Sequence, residues 1–454
     1  MKVKRLYPIA ALLTVAMTAT VAAEDPQPPI PQSMATTRGC RDGGIRHPLY
    51  KIDPSWVSAA ADNAPRVAEG IIRESHVSTE DNPAFHVSHD WNGDVLLEPS
   101  YNGLNSDGNN VVNEERLIEI EWESAFFPAD FWPVPGDTAW IFGRWIFDCA
   151  HPEIAYRTEI HPPKAVAFTR AEPVIFPGDQ RPSNSYVTRM FIQGHGGYIR
   201  SRIDRQNYVV EVPLPPKPGP LSSLRTAVLS LPFGGPQPTF ALVPNLKSPK
   251  LQITYPLSTV IDLYNTKKFG AVIATGWQSN AVAQNTPGYR LLRVTFDAIK
   301  INSDHDIRSA KWRLWVRADS HWLEIQGLDA VNDGDTIAIN RSVDLIVPDN
   351  GKLEIETTGW EDDCDGQFRS SEENIRLWNA SIGDLKCEKN GNDRIGVAEA
   401  KYDAANRFGV GIPQSALSKG SGDANGDFNL SYHIAVLKRF EPGGSVLNSS
   451  PPTN

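Results

Sequence analysis

Residues 136–163 read GDTAWIFGRWIFDCAHPEIAYRTEIHPP, and this stretch decides the fold of the first half of the chain. Successive side chains of a β-strand point to opposite faces. Trp140 and Phe142 therefore share one face of a predicted strand, and Ile141 and Trp145 share the other. Because both faces carry bulky apolar groups, we expect this strand to be covered on both sides.

A second strand follows after a short connection. Glu159 and His161 fall on one of its faces, and we expect Pro162 and Pro163 to end it because proline offers no N–H donor to a strand ladder. The two strands predict a hairpin that gathers four side chains near one end of a sheet: Asp148, His151, Glu159 and His161.

Length and composition favour an all-β protein of two domains. A chain of 454 residues exceeds the size at which a single core stops growing. Its 36 prolines, 34 glycines and 12 tryptophans, with few long helix-forming runs, indicate strands and turns. Short helices are expected only at residues 54–72, where alanine and apolar residues have helical spacing, and at 397–408.

The chain divides at a proline-rich run, VPLPPKPGP, at residues 212–220. Such a run cannot sit in a central strand and favours an extended polyproline spacer. Alternating segments separated by turns continue from Leu251 and predict a β-sandwich. The predicted order is a signal peptide at 1–23, a flexible arm at 24–38, an N-terminal barrel-like β domain at 39–212, a Pro/Gly-rich linker at 213–250, a C-terminal β-sandwich at 251–440 and a disordered tail at 441–454.

The N terminus has the parts of a secretory signal peptide. Lys2, Lys4 and Arg5 give a positive start, residues 9–21 are apolar but too few to span a bilayer, and Ala23 ends a small-residue cleavage site. We expect a secreted or periplasmic protein, cut near Ala23, with no membrane span in the mature chain.

Export determines how the cysteines are interpreted. The chain has four cysteines and no Cys-x-x-Cys spacing, so two disulfides are expected and a cysteine zinc site is not. Three connectivities are open. Pairing within each half, Cys40 with Cys149 and Cys364 with Cys387, is the one compatible with separate domains.

The formal charge of −10 and the pI near 5.5 limit the partners. Nucleic acids and anionic membranes both favour a basic surface, so neither is expected as a general partner. A cell-surface or polysaccharide ligand remains compatible with the composition. No Gly-x-Ser-x-Gly elbow and no phosphate-binding glycine loop occurs in the sequence, and no catalytic residue is assigned.

Ligand types for zinc or another divalent ion are concentrated in the first half, and catalytic zinc needs three of them with one position open. The candidates are His86, Asp90, Asp148, His151, Glu159 and His161. Their spacing matches no fixed motif, because His86 and His89 would face opposite ways on a strand. The favoured interpretation is therefore that these side chains hydrogen-bond one another and loop backbone, with Arg157 pairing Glu159.

Two further candidate sites are open. Asp362, Asp363 and Asp365 lie in one acidic loop that suits calcium, a cation that takes six to eight oxygen ligands. The alternative is a solvated turn fixed by Cys364. Exposed tryptophans would stack on sugars, although most tryptophans belong to a core. The tryptophans considered are Trp122, Trp132, Trp140, Trp145, Trp312, Trp315 and Trp322.

Five segments together resemble a group of uncharacterised secreted bacterial proteins. They are HDWN at 89–92, EIEWE at 119–123, WPVPGD at 132–137, GRWIFDCAH at 143–151 and YRTEIHPP at 156–163. The resemblance covers roughly residues 85–200 and implies an exported, mainly β protein. It carries no assigned activity. The strand after Gly136-Asp137 and the EIHP segment are also similar to small five-stranded barrels of the OB type, which implies nothing about function.

The sequence therefore predicts an exported, β-rich binding or structural protein of unknown ligand. No cofactor is assigned, and a divalent ion, zinc or calcium, is left open. A metal-dependent hydrolase is the first alternative, in which the metal lowers the pKa of a bound water and Glu159 acts as base. Its site would be the rim formed by Asp148, His151, Glu159 and His161. Carbohydrate recognition through exposed tryptophans is the second alternative.

Overall fold

The computed structural model describes most of the chain, and it consists of strands joined by short turns, as the composition predicted. The described residues are 27–40, 56–78, 90–124, 126–149, 155–193, 207–217, 219–220, 222–244, 249–257, 268–278, 287–304, 309–361, 395–420, 426–442 and 446–447. The predicted signal peptide lies outside them, as do Cys364 and Cys387.

The helical elements among these residues are short. They are helix α1 (Met34–Arg38) and 3₁₀ turns at Pro99–Leu104, Ala129–Phe131 and Arg407–Gly409. The strands are β1 Trp56–Ser58, β2 Arg66–Val77, β3 Asp90–Leu97, β4 Val111–Val112, β5 Glu115–Glu123, β6 Thr138–Asp148, β7 Thr158–Val174, β8 Ser183–Gln193, β9 Asn207–Pro213, β10 Ser223–Ser230, β11 Thr239–Val243, β12 Lys250–Pro256, β13 Lys268–Gln278, β14 Tyr289–Ile301, β15 Trp312–Ala318, β16 His321–Ile325, β17 Thr336–Pro348, β18 Lys352–Glu361, β19 Val397–Asp403, β20 Gln414–Lys419, β21 Phe428–Phe440 and β22 Val446–Leu447.

Five strands close into a barrel in the order β2-β3-β5-β7-β6, with β6 returning to β2. The β5–β7 pair is parallel and the other pairs are antiparallel. Counted along the chain this is the ring 1-2-3-5-4, the topology of an OB-type barrel. Trp91, Trp122 and Ile160 are fully buried within it. Burial of each such side chain contributes about 1.5–3 kcal/mol.

The two prolines that we predicted to end the second strand of the hairpin lie inside β7. The register between β6 and β7 shifts on either side of Gly143, which faces Pro163. A Cβ atom on Gly143 would lie 2.7 Å from Pro163 Cα and 2.6 Å from Ile160 Cγ2, so this approach requires glycine. A bulge tolerates the missing proline donors, and the predicted strand end was wrong.

The segment predicted as a linker, 213–250, contains two strands. β10 pairs with β13, which pairs with β8 and so extends the barrel sheet. β11 pairs with β12 and β12 with β9 in a small sheet that packs over Trp140 and Phe142. The strands β12 and β13, which we placed in the second domain, therefore pair with the first unit. Proline-rich connections here separate strands that share one core.

The second unit is one sheet in the order β16-β15-β18-β19-β20-β21-β14-β17, folded over a single apolar core. Its two end strands, β16 and β17, approach each other. Arg341 Nη1 of β17 donates to the Glu324 carbonyl oxygen of β16 at 2.8 Å. This is the sandwich-like arrangement that the turn spacing predicted.

Three tryptophans join the two units. The Trp132 ring lies 5.2 Å from that of Trp315 and 5.7 Å from that of Trp322, measured between ring centroids. Trp322 also donates its indole N–H to the Pro133 carbonyl oxygen at 3.3 Å. The apolar core of the barrel therefore continues into the second unit.

Both predicted helices are wrong in the described residues. Within 54–72 the structure has β1 and most of β2, whose alternate side chains enter the barrel core. Within 397–408 it has β19 followed by a 3₁₀ turn. Over short windows, runs of alanine and isoleucine fit both the helical and the strand periodicity. Here pairing within the sheet decides in favour of strands. No helix of the described residues has the length and apolar content needed to cross a bilayer.

The predicted flexible arm is attached to the barrel over its described residues, 27–38. Ile30 N donates to the Asn105 carbonyl oxygen at 2.9 Å, and Gln32 N donates to Asp107 Oδ1 at 2.6 Å. The arm lacks a periodic pattern because its partner is a loop and not a sheet face.

Cys40 and Cys149 form a disulfide, as predicted, with Cα atoms 5.4 Å apart. Both cysteines are buried in a small cluster beside Phe147 and Tyr156. The bond closes a loop with a sequence separation of 109 and anchors the segment after α1 to the end of β6.

We expect the Cys40→Ser, Cys149→Ser double variant to lose about 4–5 kcal/mol of unfolding free energy. The reason is that a loop of this length adds that much chain entropy to the unfolded state. Urea unfolding with and without a reductant measures the loss. The matched control is Cys364→Ser with Cys387→Ser, which keeps Cys40 and Cys149. A reductant should lower the unfolding midpoint of this control, because it breaks the Cys40–Cys149 bond. A midpoint that reductant leaves unchanged in that control would contradict the role of the bond.

Candidate functional site

Alternation places a row of acidic side chains on the outer face of the barrel. On β5, Ile120 points into the core, so Glu119 and Glu121 point outward. The pairing register sets Asn92 of β3 opposite Glu121 on one side. On the other side it sets Glu159 of β7 beside Glu119. Acids from adjacent strands therefore stand about 5 Å apart across the sheet.

His161 lies at the centre of this row. Its Nδ1 is 2.6 Å from Glu121 Oε2 and 3.9 Å from Glu159 Oε1. Its Nε2 is 3.8 Å from Asp90 Oδ2 on the opposite side of the ring. The side chains are nearly enclosed, with 10% of His161, 13% of Glu121, 4% of Glu159 and 0% of Asp90 exposed.

Arg157 and Asn92 bind the rest of the cluster. Arg157 Nη1 lies 2.8 Å from Glu119 Oε2, and Arg157 Nε lies 3.6 Å from Asp148 Oδ2. The Asn92 amide nitrogen donates to Glu119 Oε1 at 2.7 Å and to Glu121 Oε1 at 3.3 Å. These contacts fix the Glu119 carboxylate from two sides.

Several carboxyl groups lie close together in this enclosed space. Burial, with the neighbouring Glu121 as the next cause, raises the pKa of both Glu119 and Glu159 well above the usual glutamate range. Burial and the nearby Glu74 raise the pKa of Asp94 to about 6. These shifts mean that the cluster favours bound positive charge, as protons or as another cation. The carboxyl groups with a raised pKa are Asp94, Glu119 and Glu159.

The geometry provides two sets of metal-ligand atoms. In each set the ligand atoms all lie within 4.8 Å of one another, close to the spread of atoms around one cation at about 2.0–2.2 Å. The first set combines an imidazole with two carboxylates, a donor set that zinc accepts. The second set offers oxygen only. They are Asp90, Glu121 and His161, and then Glu119, Glu121 and Glu159.

The structure brings three of the predicted metal ligands, Asp90, Glu159 and His161, into this cluster. A fourth, Asp148, joins it through Arg157. His86 and His151 lie outside the described residues, as does His89. The expected ion pair between Arg157 and Glu159 is replaced by contacts from Arg157 to Glu119 and Asp148.

Sequence reasoning missed Glu119, Glu121 and Asn92. The alternation in EIEWE at 119–123 carries the signal, since it sets glutamates on the face opposite Ile120 and Trp122. What the sequence did not show is that β5 lies beside β7, because this parallel pair joins distant segments.

The other two candidate sites fare differently. The acidic loop with Asp362, Asp363 and Asp365 lies outside the described residues. The tryptophans considered for sugar stacking are in the core: six of them are at most 6% exposed, and Trp145 donates its indole N–H to the Leu104 carbonyl oxygen at 2.8 Å. The six are Trp122, Trp132, Trp140, Trp312, Trp315 and Trp322. Most tryptophans were expected in a core, and the alternative of sugar stacking finds no exposed ring among these six.

Comparison with known proteins adds little. No protein-family model and no curated protein matches the chain. Among solved structures, the paired C2 domains of Extended-Synaptotagmin 2 match 63% of this chain and 85% of their own at 8% identity, with a TM-score of 0.20. A second structure, the SMP domain of that protein together with the same C2 pair, matches 84% and 89% at 10% identity, also with a TM-score of 0.20. Similarity at this level supports no argument about function.

A cleft of about 580 Å³ lies where the two units meet. Three arginines in or beside the cleft form ion pairs with carboxylates. Arg170 Nη2 lies 2.7 Å from Asp137 Oδ2, and Arg189 Nη1 lies 3.0 Å from Glu172 Oε2. Arg317 pairs with Glu356. The cleft is therefore a salt-bridged interface in which each of these arginines has a carboxylate partner.

Asp319 of this cleft predicts a measurable pH dependence. Burial raises its pKa from 3.8 to about 6, although its Oδ1 accepts a hydrogen bond from Glu354 N at 3.0 Å. Between about pH 4 and pH 6 the folded chain holds this proton and the unfolded chain does not, so stability from this group falls as pH rises. Asp319→Asn keeps an oxygen that can accept the hydrogen bond from Glu354 N and removes the titrating carboxyl group. We expect its stability relative to wild type to increase from pH 4 to pH 6 and then to level off.

Urea unfolding at a series of pH values tests this expectation. Asp344→Asn is the control, because a hydrogen bond from Arg293 lowers the pKa of Asp344 and so places its effect below about pH 4. A stability difference between Asp319→Asn and wild type that stays constant from pH 4 to pH 6 would show that the Asp319 pKa is not raised.

Proposed function

We propose that the chain is an exported, β-rich binding or structural protein in which the outer-face cluster holds a divalent cation. The observation that carries the proposal is the enclosed set Asp90, Glu121 and His161, whose ligand atoms lie within 4.8 Å of one another. The apolar segment at residues 9–21 and the Cys40–Cys149 disulfide support export to an oxidising compartment, secreted or periplasmic.

A cation answers the charge problem of the cluster better than protons alone. If protons alone neutralised the cluster at neutral pH, carboxylic acids would face a histidine and one another. Each acid would then carry an O–H donor that needs an acceptor in a fixed place. A divalent ion would accept oxygen and nitrogen lone pairs from all three side chains at once. Its binding energy would then also stabilise the pairing of β3, β5 and β7, because the three ligands come from these three strands.

A metal-dependent hydrolase is the second candidate, and Glu159 is the observation in its favour. The Glu159 carboxylate lies 3.9 Å from His161 Nδ1 and has a raised pKa caused chiefly by burial, which suits a general base. Enclosure argues for the binding role, because a substrate must reach the metal and the first ligand set is at most 13% exposed. Asp148, assigned to this site from the sequence, is held by Arg157.

The proposal predicts stoichiometric metal in the intact protein. We expect metal-depleted protein exposed to Zn²⁺ and then desalted to retain at least one equivalent by elemental analysis, and Zn²⁺ to raise its unfolding temperature. His161→Ala should weaken this binding by more than about tenfold, since even outer partners of a metal ligand cost 10–100-fold.

His433→Ala is the matched control. His433 is a half-exposed histidine of the second unit that contacts Asp297 at 2.9 Å, so its loss should leave Zn²⁺ retention unchanged. Wild-type protein that retains no Zn²⁺, with a His161→Ala variant that is merely less stable, would assign these residues to the scaffold. Hydrolysis of model esters that disappears in Glu159→Gln while Zn²⁺ is retained would favour the second candidate.

A further inference from the structure

Strand β10 is an open edge of the barrel sheet. It pairs with β13 on one side, and no strand among the described residues pairs with its other side. An edge of this kind presents a row of free backbone N–H and C=O groups to any strand that comes beside it. The register with β13 is regular over residues 223–228 and shifts between Val228 and Ser230. The regular part has about the usual length of a strand, so it is long enough to accept another one.

Apart from that register shift, this edge lacks the usual protection. Proteins block open edges with lysine, with proline or with inward-pointing charge. β10 (SLRTAVLS) and the edge strand of the small sheet, β11 (TFALV), contain no proline and one charged residue, Arg225. Arg225 is engaged elsewhere, since its Nη1 lies 2.8 Å from Asp179 Oδ2 and its guanidinium lies 4.4 Å over the Phe176 ring. The edge is therefore close to neutral, in a chain whose formal charge is −10.

The small sheet ends on the same side as the barrel sheet. Its strand β9 packs on β6, where the rings of Tyr208 and Phe142 lie 5.9 Å apart. Its middle strand β12 packs on β13, where the rings of Tyr255 and Phe269 lie 6.4 Å apart. The next strand, β11, therefore lies over the open edge of the barrel sheet, and both layers of this sandwich stop together.

Leu242 of β11 shows that the core is left open there. It stands opposite Leu251 in the register, so both side chains point toward the core. Leu251 is fully buried, whereas Leu242 is 50% exposed. An apolar side chain on the inner face of a sandwich is normally covered by the facing sheet. Another strand beside β10 would supply that cover.

We infer that a second copy of this chain docks on this edge, with the two β10 strands antiparallel about a two-fold axis at Thr226. Such an axis is perpendicular to the sheet, so each face of one copy continues the same face of the other. Leu224 packs against the core below the small sheet, and Ala227 packs on the opposite face. The axis sets Leu224 opposite Val228 of the second copy on the inner face, and Arg225 opposite the small Ala227 on the outer face.

Neighbouring registers are less favourable. An axis at Arg225 would set two guanidinium groups directly opposite each other, and like charges in that position are destabilising. An axis at Ala227 would extend the pairing to Ser230, beyond the register shift. At Thr226 the two threonines face each other, which is a favourable cross-strand pair, and only the regular part of the edge is used.

A second copy fits this edge better than a single added peptide does. A peptide beside β10 would extend one layer and bring no β11 to continue the other. A second copy continues both layers, since its own β10 and β11 end together, and it places the Leu242 side chains of both copies over paired strands. Two molecules of formal charge −10 repel each other over most of their surfaces, so a nearly neutral edge is where they can approach.

Sedimentation velocity and a cysteine cross-link test the dimer and its register. We expect the full-length chain to form a species of twice its own mass, whose fraction rises with concentration. Thr226→Cys should give a disulfide-linked dimer on non-reducing electrophoresis, because directly opposed residues of antiparallel strands have Cα atoms about 4.5–5.5 Å apart. Ala227→Cys is the matched control. The same register sets Ala227 opposite Arg225, so the two new cysteines would lie too far apart to bond.

A charge at Ala227 should shift the equilibrium in either direction. Ala227→Lys places a like charge opposite Arg225 of the second copy, twice in the symmetric dimer, and should raise the dissociation constant by about tenfold. Ala227→Glu places the opposite charge there and should lower the dissociation constant by a similar factor. Ala338→Lys is the control, because it adds the same charge at an exposed strand position of the second unit and should change nothing. Circular dichroism shows whether each variant folds.

The outcomes decide the inference. A chain that sediments as a monomer at every concentration overturns it, as does a dimer that both Ala227 variants leave unchanged and that Thr226→Cys does not cross-link. The latter result would mean that another surface joins the two copies. If Ala227→Lys does not fold, the cross-link in Thr226→Cys and its absence in Ala227→Cys give the answer.

Discussion

The position of β7 between β5 and β6 is the constraint on which both the barrel and its acidic cluster depend. Its antiparallel pairing with β6 is local, whereas its parallel pairing with β5 closes the ring. That closure sends Ile160 inward and sets Glu159 beside Glu119 on the outside. Side chains alternate strictly along a strand, so a register slip of one residue would bury the acids in the aromatic core. The core thus holds the cluster in place.

The acidic cluster lowers the stability of the folded protein, and the rest of the barrel offsets this loss. Enclosed carboxylates repel one another and lose hydration, which the raised pKa of Glu159 expresses. Against this stand the fully buried Trp91 and Trp122, the disulfide at the end of β6 and the shared tryptophan contacts with the second unit. A protein with so much aromatic packing tolerates an unfavourable cluster of this kind, and groups with strongly shifted pKa values are common at functional sites.

Local pattern predicted much of this structure, and non-local pairing accounts for what it missed. Alternation in residues 140–161 predicted β6, the start of β7 and the grouping of Glu159 with His161, and cysteine number predicted the first disulfide. Glu119 and Glu121 stayed unassigned because their neighbour β7 begins some forty residues later in the sequence. The helix at 54–72 and the linker at 213–250 were misassigned because a short segment takes the conformation that its sheet partner offers.

The two charged regions along β7 differ in how their ion pairs are arranged. At the far end of the strand, Arg170 faces Asp137 and Arg189 faces Glu172, so the charges match one to one. At the near end, Arg157 must serve both Glu119 and Asp148. The described ion pairs therefore give each arginine one carboxylate at one end of the strand and give Arg157 two carboxylates at the other. Because folding alone would favour one carboxylate for each arginine at both ends, the crowding of carboxyl groups beside His161 is the reason for proposing a cation there.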